Sequence, residues 1–280
     1  MDSKTVKAHD GANINVYFCK SEQPRAVVQI VHGFGEGAFH YTDLANFFAQ
    51  NNYTAIVHDQ RGFGGMPELS QAERQKLKGK NPGYAYFLKD IKTIRAAIQS
   101  WYPDLPVILY GHSMGGNMVL NHMIKFPNEN YAKLVLESPW LRLHKPISKP
   151  LMAIISVLAK IAPNFTMSAG LEKAHIARSQ DKTNKFEMDD VYHDKMAMRL
   201  LCEIIAAGEN ALENADKITT PTLLLCAALD KIVCSATIRE FAEKANDNVQ
   251  LVEYADGYHN LHLDQISDTV LADVVKFMNT

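Results

Sequence analysis

Apolar runs of strand length alternate with helical patterns along most of the sequence. The main runs, from residues 25–33 to residues 248–255, are rich in Val, Ile and Leu. Strands that are apolar throughout are buried on both faces, and helices between them indicate a mainly parallel sheet covered on both sides. Two shorter runs, near 4–8 and 13–19, alternate more and predict an antiparallel hairpin at one edge. The pattern therefore predicts an α/β fold.

The alternation stops between Pro139 and about Gly208. This region contains no convincing strand pattern, and instead shows two helical patterns, at 148–164 and 195–212, around a polar stretch. A long insertion between two strands of such a sheet is expected to cover one edge of it. We predict a helical cap at 139–204, inserted into a core that is formed by 1–138 and 205–280.

Charge and composition exclude several classes of partner. The 280 residues include 29 basic and 31 acidic side chains, for a net charge of −2, so no basic field favours nucleic acid. No apolar run reaches the roughly 18 residues of a membrane span, and the N-terminus lacks the apolar stretch of a secretory signal. The four cysteines have neither CxxC pairing nor metal-ligand spacing with histidine. We expect a cytoplasmic protein with reduced thiols and no metal.

A glycine-rich segment follows the strand-like run VILYG. Gly111-His112-Ser113-Met114-Gly115 fits the pattern G-x-S-x-G, with a strand before it and a helix after it. So tight a turn leaves room only for glycine two residues before and two residues after the serine. It also lifts the serine hydroxyl above the carboxyl end of the sheet. The pattern predicts that Ser113 is a nucleophile.

A serine hydroxyl needs a base that accepts its proton and an acid that orients the base. In this architecture the chain order is serine, acid, histidine, each at the end of a strand. Asp230 ends the run LLLCAALD and His259 follows VEYADGY, so we predict these two residues as partners of the serine. Glu137 and Asp256 are alternatives for the acid. The alternative for the histidine is His262, which we expect to begin the last helix.

The negative oxygen that forms in acyl transfer requires two backbone donors. We predict that they are the N–H groups of Phe34, in the loop HGFGEG, and of Met114, at the start of the helix after the serine. The GFGEG run lacks the spacing and the acidic partner of a dinucleotide-binding loop. In the turn DQRGFG, we expect Asp59 and Arg61 to be structural. The polar, lysine-rich segment that follows, around 64–82, predicts a loop.

Five segments, HGFGEG, DQRGFG, GHSMGG, PTLLLCAALDKIV and DGYHNLH, resemble in this order the α/β-hydrolase superfamily. Within it they resemble the monoacylglycerol lipase and lysophospholipase-like serine hydrolases. The resemblance implies an α/β-hydrolase fold with a mostly parallel eight-stranded sheet, helices on both faces and a helical cap after the sixth strand. It also implies an acyl-enzyme mechanism without a cofactor. Carried over by position, it assigns the triad to Ser113, Asp230 and His259, with Phe34 and Met114 as backbone donors.

The expected activity is hydrolysis of carboxylic esters of the monoacylglycerol or lysophospholipid type. Serine at the turn argues against dehalogenases and epoxide hydrolases, which resemble this family but place an aspartate there. A short-chain carboxylesterase, a thioesterase, a C–C bond hydrolase and an aminopeptidase are alternatives on the same scaffold. A non-catalytic protein that binds a ligand in the hydrolase pocket is an alternative from another class.

The first helical pattern of the cap carries a wide apolar face that includes Ile155 and Leu158. We predict that these two side chains line an acyl pocket, and packing of the cap against the core is the alternative. The expected partners are a small ester or lipid substrate and, transiently, a lipid surface. The sequence leaves the oligomeric state open.

Overall fold

The computed structural model describes residues 1–179, 181 and 191–280. The strands in this part of the chain are β1 (Asp2–Lys7), β2 (Asn13–Cys19), β3 (Ala26–Val31), β4 (Tyr53–His58), β5 (Val107–His112), β6 (Lys133–Glu137), β7 (Thr166–Ser168), β8 (Lys195–Ala197), β9 (Thr222–Ala227) and β10 (Val249–Tyr254). The α-helices are α1 (Thr42–Gln50), α2 (Gln71–Leu77), α3 (Tyr84–Trp101), α4 (Met114–Lys125), α5 (Lys149–Ile161), α6 (Met198–Glu213), α7 (Ser235–Lys244) and α8 (Ser267–Asn279).

Eight strands form one sheet in the order β1-β2-β4-β3-β5-β6-β9-β10. The pairs β1–β2 and β2–β4 are antiparallel, and every other neighbouring pair in this sheet is parallel. β3 lies between β4 and β5, so the chain moves outward from β3 in both directions. In open parallel sheets such a reversal leaves a crevice at the carboxyl ends of the strands, where ligands bind. The loops after β3 and β5 meet at this crevice, because Val31 pairs with Gly111.

Two apolar cores lie on opposite faces of the sheet. Along β3, Val27 and Val31 belong to the core that packs against α3, α4, α6 and α7. Val28 and Ile30, between them, belong to the core that packs against α1 and α8. Both faces of the central strands are thus covered, which explains why their sequences are apolar without alternation. The predicted architecture, including the edge hairpin, is confirmed.

The segment predicted to form the cap contains strands that the sequence does not predict. β7 and β8 form a separate antiparallel pair in which Met167 lies opposite Met196. The prediction that no strand occurs between Pro139 and Gly208 is therefore wrong. Each of these strands has three residues, too few to produce a recognisable apolar run. The predicted boundary at 204/205 falls inside the continuous helix α6, and the division into core and cap stays a prediction.

A second difference concerns the polar segment at 64–82, for which the sequence predicts a loop. It contains α2, whose N-terminus has reciprocal hydrogen bonds between Ser70 and Glu73. This capping box is visible in the sequence as S-x-x-E and could have predicted the helix.

The first helix of the predicted cap, α5, is apolar on more than one side. Ile155 is buried, whereas Leu151, Ile154, Val157 and Ile161 are exposed. Within the described ranges, no helix combines the length and the apolar character that crossing a bilayer requires.

Candidate active site

The turn between β5 and α4 holds Ser113 in an unusual backbone conformation. Its φ is 53° and its ψ is −116°, a region that residues with a side chain rarely adopt. A Cβ at Gly111 would lie 2.7 Å from Cγ2 of Val119, and one at Gly115 would collide with the backbone oxygen of Val31. The close packing of α4 against β3 and β5 thus requires glycine at both positions, as the motif predicts.

Ser113, His259 and Asp230 lie in one hydrogen-bonded row. Ser113 Oγ lies 2.9 Å from His259 Nε2, and His259 Nδ1 lies 2.6 Å from Asp230 Oδ2. The other carboxylate oxygen of Asp230 accepts the backbone N–H groups of Ile232 and Val233 at 2.7 Å and 2.9 Å. All three side chains of the row are buried. The loop after β9 therefore fixes the carboxylate, and the carboxylate orients the imidazole toward the serine.

The surroundings of His259 favour its charged form. Burial alone would lower the pKa of His259, but Asp230, followed by Glu36 and Glu137, outweighs burial and raises the pKa above its ordinary value of 6.5. A histidine that takes a proton from a nucleophile becomes an imidazolium, and nearby carboxylates stabilise that ion. The site is thus arranged for proton transfer from Ser113 to His259.

Two of the alternative residues pair with each other instead of with the serine. His262 Nδ1 lies 2.9 Å from each carboxylate oxygen of Glu137, and Tyr110 donates its hydroxyl to the same carboxylate. His262 lies in the 3-10 turn Leu261–Leu263, so the expectation that it begins the last helix is wrong. The third alternative, Asp256, is exposed.

The predicted backbone donors lie on either side of the crevice. Met114 is the first residue of α4, so its N–H has no acceptor within the helix, and the helix N-terminus favours negative charge. Phe34, in the loop after β3, is buried and lines the same cavity as Ser113. Both donors therefore lie in segments that border the serine.

The carboxylate of Glu36 is a part of the site that the sequence analysis missed. One of its oxygens accepts the N–H of Gly33 at 2.8 Å and the hydroxyl of Tyr41 at 2.6 Å, and the other accepts Nδ2 of Asn260 at 3.0 Å. Burial opposes the ionisation of Glu36, but His112 and Tyr41 outweigh burial and hold the pKa of the carboxyl well below its ordinary range. An acid within an apolar, glycine-rich loop was a signal for such a residue. Its partner Asn260 is 224 positions away, and no local pattern connects them.

A cavity of about 360 Å³ extends from Ser113 and His259 toward the predicted cap. Most of its wall is apolar and comes from the cap and adjoining loops, including Trp140, Leu143, Leu151, Ile155, Met198 and Leu201. Ile155 lines the cavity, whereas Leu158 lies outside its wall. Leu151 and Ile155, four positions apart on one face of α5, both line the cavity, whereas Leu158, about 4.5 Å further along the helix axis than Ile155, does not.

The profile of the protein family described as "Serine aminopeptidase, S33" matches residues 22–266. The chain belongs to this family. It is 28% identical to a monoacylglycerol lipase of Mycolicibacterium smegmatis over 286 residues, which cover 99% of each chain. A crystal structure of a monoacylglycerol lipase from Paleococcus ferrophilus has a TM-score of 0.81 and 23% identity, covering 94% of this chain and 98% of that one.

A second related structure, a soluble variant of monoglyceride lipase from Saccharomyces cerevisiae with a substrate analog, has a TM-score of 0.84 and 20% identity. It covers 99% of this chain and 94% of that one. The structural matches confirm the predicted α/β-hydrolase fold. With the family match and the relatives, they also confirm the resemblance to the monoacylglycerol lipase-like hydrolases and the expected enzyme class, a carboxylic ester hydrolase.

Proposed function

We propose that this protein hydrolyses the ester bond of monoacylglycerols through an acyl-enzyme on Ser113. The observation that carries the proposal is the buried row Asp230–His259–Ser113, which opens into an apolar cavity beneath the cap. The sequence similarity to a monoacylglycerol lipase over the whole chain supports the choice of substrate.

In the first half of the reaction, Ser113 Oγ attacks the ester carbonyl. His259 Nε2, 2.9 Å away, accepts the hydroxyl proton, while Asp230 stabilises the imidazolium. The N–H groups of Phe34 and Met114 bind the oxyanion of the tetrahedral intermediate, and loss of one such donor typically costs about 10²–10³ in rate. The imidazolium then protonates the departing glycerol oxygen, and the acyl group stays on Ser113.

In the second half, water enters the space that glycerol leaves. His259 removes a proton from this water, which attacks the acyl carbonyl, and the same two amides bind the second oxyanion. Collapse of this intermediate returns the proton to Ser113 and releases the fatty acid. The scheme uses only groups of this chain and a water molecule.

The cavity suits the acyl part of the substrate. Its volume, about 360 Å³, falls in the range of small-molecule sites, roughly 300–1,000 Å³. Apolar walls such as those formed by Trp140 and Ile155 favour binding of an alkyl chain, because each CH₂ group that leaves water contributes about 0.8 kcal/mol to the binding free energy. A long acyl chain is therefore favoured over a short one.

The outer side of the cap suits contact with a lipid surface. Its exposed apolar residues are Ile154, Val157, Ile161 and Phe165, and the partly exposed Leu151 and Met167 lie at the cavity wall beside them. A helix with such a face can lie along the surface of a membrane, with the apolar face buried in the interface and without crossing the bilayer. Monoacylglycerols partition into membranes, so this contact would bring the cavity to its substrate.

Release of fatty acid from a long-chain monoacylglycerol tests the proposal, with L-proline p-nitroanilide as a peptide-like comparison and Ser113→Ala as the blank. The proposal predicts turnover of the monoacylglycerol that the variant lacks. Turnover of the anilide alone would assign the protein to the aminopeptidases instead.

A further inference from the structure

The loop that carries Phe34 and the loop that carries His259 are joined through the side chain of Glu36. This carboxylate is only 4% exposed. It accepts three hydrogen bonds, at 2.6 to 3.0 Å, from groups in different segments of the chain. A buried carboxylate with this many donors is held in one position, since any shift would leave a polar group unsatisfied.

On one side, Glu36 holds the backbone beside the predicted oxyanion donor. Its Oε2 accepts the N–H of Gly33, the residue immediately before Phe34, at 2.8 Å. The same oxygen accepts the hydroxyl of Tyr41, whose oxygen lies 3.1 Å from the nitrogen of Gly33. A charged acceptor binds an N–H more strongly than a neutral hydroxyl does, so Glu36 is the main acceptor for Gly33. Together with His32, whose Nδ1 donates to the Gly33 carbonyl at 2.8 Å, it fixes the peptide that carries the Phe34 N–H.

On the other side, Glu36 holds the backbone beside the predicted base. Its Oε1 accepts Nδ2 of Asn260, the residue immediately after His259, at 3.0 Å. The Asn260 side chain is almost fully buried, and its backbone N–H donates to the carbonyl of Ile176. The hydrogen bond between Glu36 and Asn260 thus connects the two loops directly.

We infer that Glu36 is a positioning residue that, by binding Gly33 and Asn260 at once, sets the distance between the Phe34 amide and the His259 imidazole. The inference rests on the proposed function, because both groups must reach the same tetrahedral intermediate. A misplacement of about 1 Å in such a geometry costs about 10² in rate. Glu36 itself accepts no proton in this scheme.

The direction of one hydrogen bond gives a sharp test. In Asn260→Asp, two carboxyl groups face each other, and at alkaline pH, where the proton that they would share is lost, their repulsion separates the loops, so all variants are compared at alkaline pH. In the double variant that combines Asn260→Asp with Glu36→Gln, the new amide donates to the new carboxylate, while its carbonyl still accepts from Gly33 and Tyr41. The double variant therefore keeps the connection with its direction reversed, and it has the same net charge as the wild type.

We expect Asn260→Asp to lower kcat on p-nitrophenyl butyrate by about 10²-fold, with KM changed less than about threefold. Addition of Glu36→Gln should raise the kcat of the Asn260→Asp variant by at least about tenfold. Glu137→Gln is the matched control. Glu137 is another buried carboxylate that raises the pKa of His259, but its hydrogen bonds go to Tyr110 and His262 and not to Gly33 and Asn260. Added to Asn260→Asp, it should restore nothing.

Equal recovery by Glu36→Gln and Glu137→Gln would overturn the inference, because charge alone would then explain the effect. No recovery by Glu36→Gln would overturn it as well. If Asn260→Asp does not fold, Asn260→Ala and Glu36→Ala take its place. The connection is absent from both, so their kcat losses should not multiply in the double variant, and multiplication would contradict the inference.

Failure of the proposed function is recognised separately. If the wild type hydrolyses no ester above Ser113→Ala, the same variants are compared by the rate at which a fluorophosphonate labels Ser113. That reaction uses the same base and oxyanion amides but no particular substrate.

Discussion

The two ends of the cavity are built by different physical means. At the carboxyl edge of the sheet, Ser113, His259 and Asp230 are buried, and hydrogen bonds hold each of them. In the cap helix α5, Ile155 is buried, whereas Ile161 has 76% of its surface exposed. Directional bonds fix the chemistry, and non-directional apolar contact shapes the space for the substrate. Substitutions at the two ends should therefore affect different kinetic quantities.

The largest effect is expected from loss of the nucleophile. Ser113→Ala should lower kcat on any ester by about 10⁴-fold or more, because no other group replaces the hydroxyl. Ser138→Ala is a matched control. Ser138 is also buried with a positive φ, and its hydroxyl has no hydrogen-bond partner within the described residues. A comparable loss in the Ser138 variant would contradict the assignment.

The pH dependence of kcat/KM should reflect His259. As a base it must be neutral, and its pKa in the folded protein is raised above 6.5, so activity falls as pH drops through that raised value. The fall should be about tenfold per pH unit below the midpoint. Asp230→Asn removes the main interaction that raises the pKa, so in this variant the midpoint should move to lower pH. A midpoint below 6.5 in the wild type would contradict this picture.

In the cap, two residues of α5 provide an internal comparison. Ile155→Ser should lower kcat/KM for a p-nitrophenyl ester with a long acyl chain about tenfold relative to the butyrate, because Ile155 lines the cavity. Leu158→Ser should leave the ratio within about twofold, since Leu158 lies outside the wall. If the two variants change the ratio equally, the cavity is not the acyl site.

The smallest effect on turnover is expected from the outer face of the cap. Replacement of Ile154, Val157 and Ile161 by Ser should weaken binding to phosphatidylcholine vesicles about tenfold, because less apolar surface leaves water. Hydrolysis of dissolved p-nitrophenyl acetate should stay within about twofold. Leu77→Ser removes an exposed apolar side chain outside the cap and should change neither quantity. Unchanged vesicle binding in the triple variant would exclude this face as the lipid contact.

The end of the cavity that holds Ser113, His259 and Asp230 was more accessible to sequence analysis than the predicted cap. The central strands are buried on both faces, which leaves a continuous apolar run in the sequence, and the steric limits of the turn leave glycines at fixed distances from Ser113. The chain order of serine, acid and histidine then restricts the partners to a few residues. Among those, sequence could not exclude Glu137 and His262, because their mutual pairing depends on how β6 and the last loop meet in space.

The remaining features depend on contacts between distant segments. β7 and β8 have three residues each and are stabilised by pairing with each other. Glu36 is connected to the His259 loop by its hydrogen bond with Asn260, which lies near the other end of the chain. The different surroundings of Ile155 and Leu158 arise from the way α5 lies over the core. Because α5 is apolar on more than one side, its sequence does not show which of these two residues faces the cavity.

The acyl-chain profile tests the central claim most directly. Initial rates on p-nitrophenyl esters from C2 to C16 and on a long-chain monoacylglycerol would be measured with Ser113→Ala as the blank. The account predicts a maximum at C8 or longer, together with hydrolysis of the monoacylglycerol. A maximum at C2 to C4 without hydrolysis of the monoacylglycerol would contradict it.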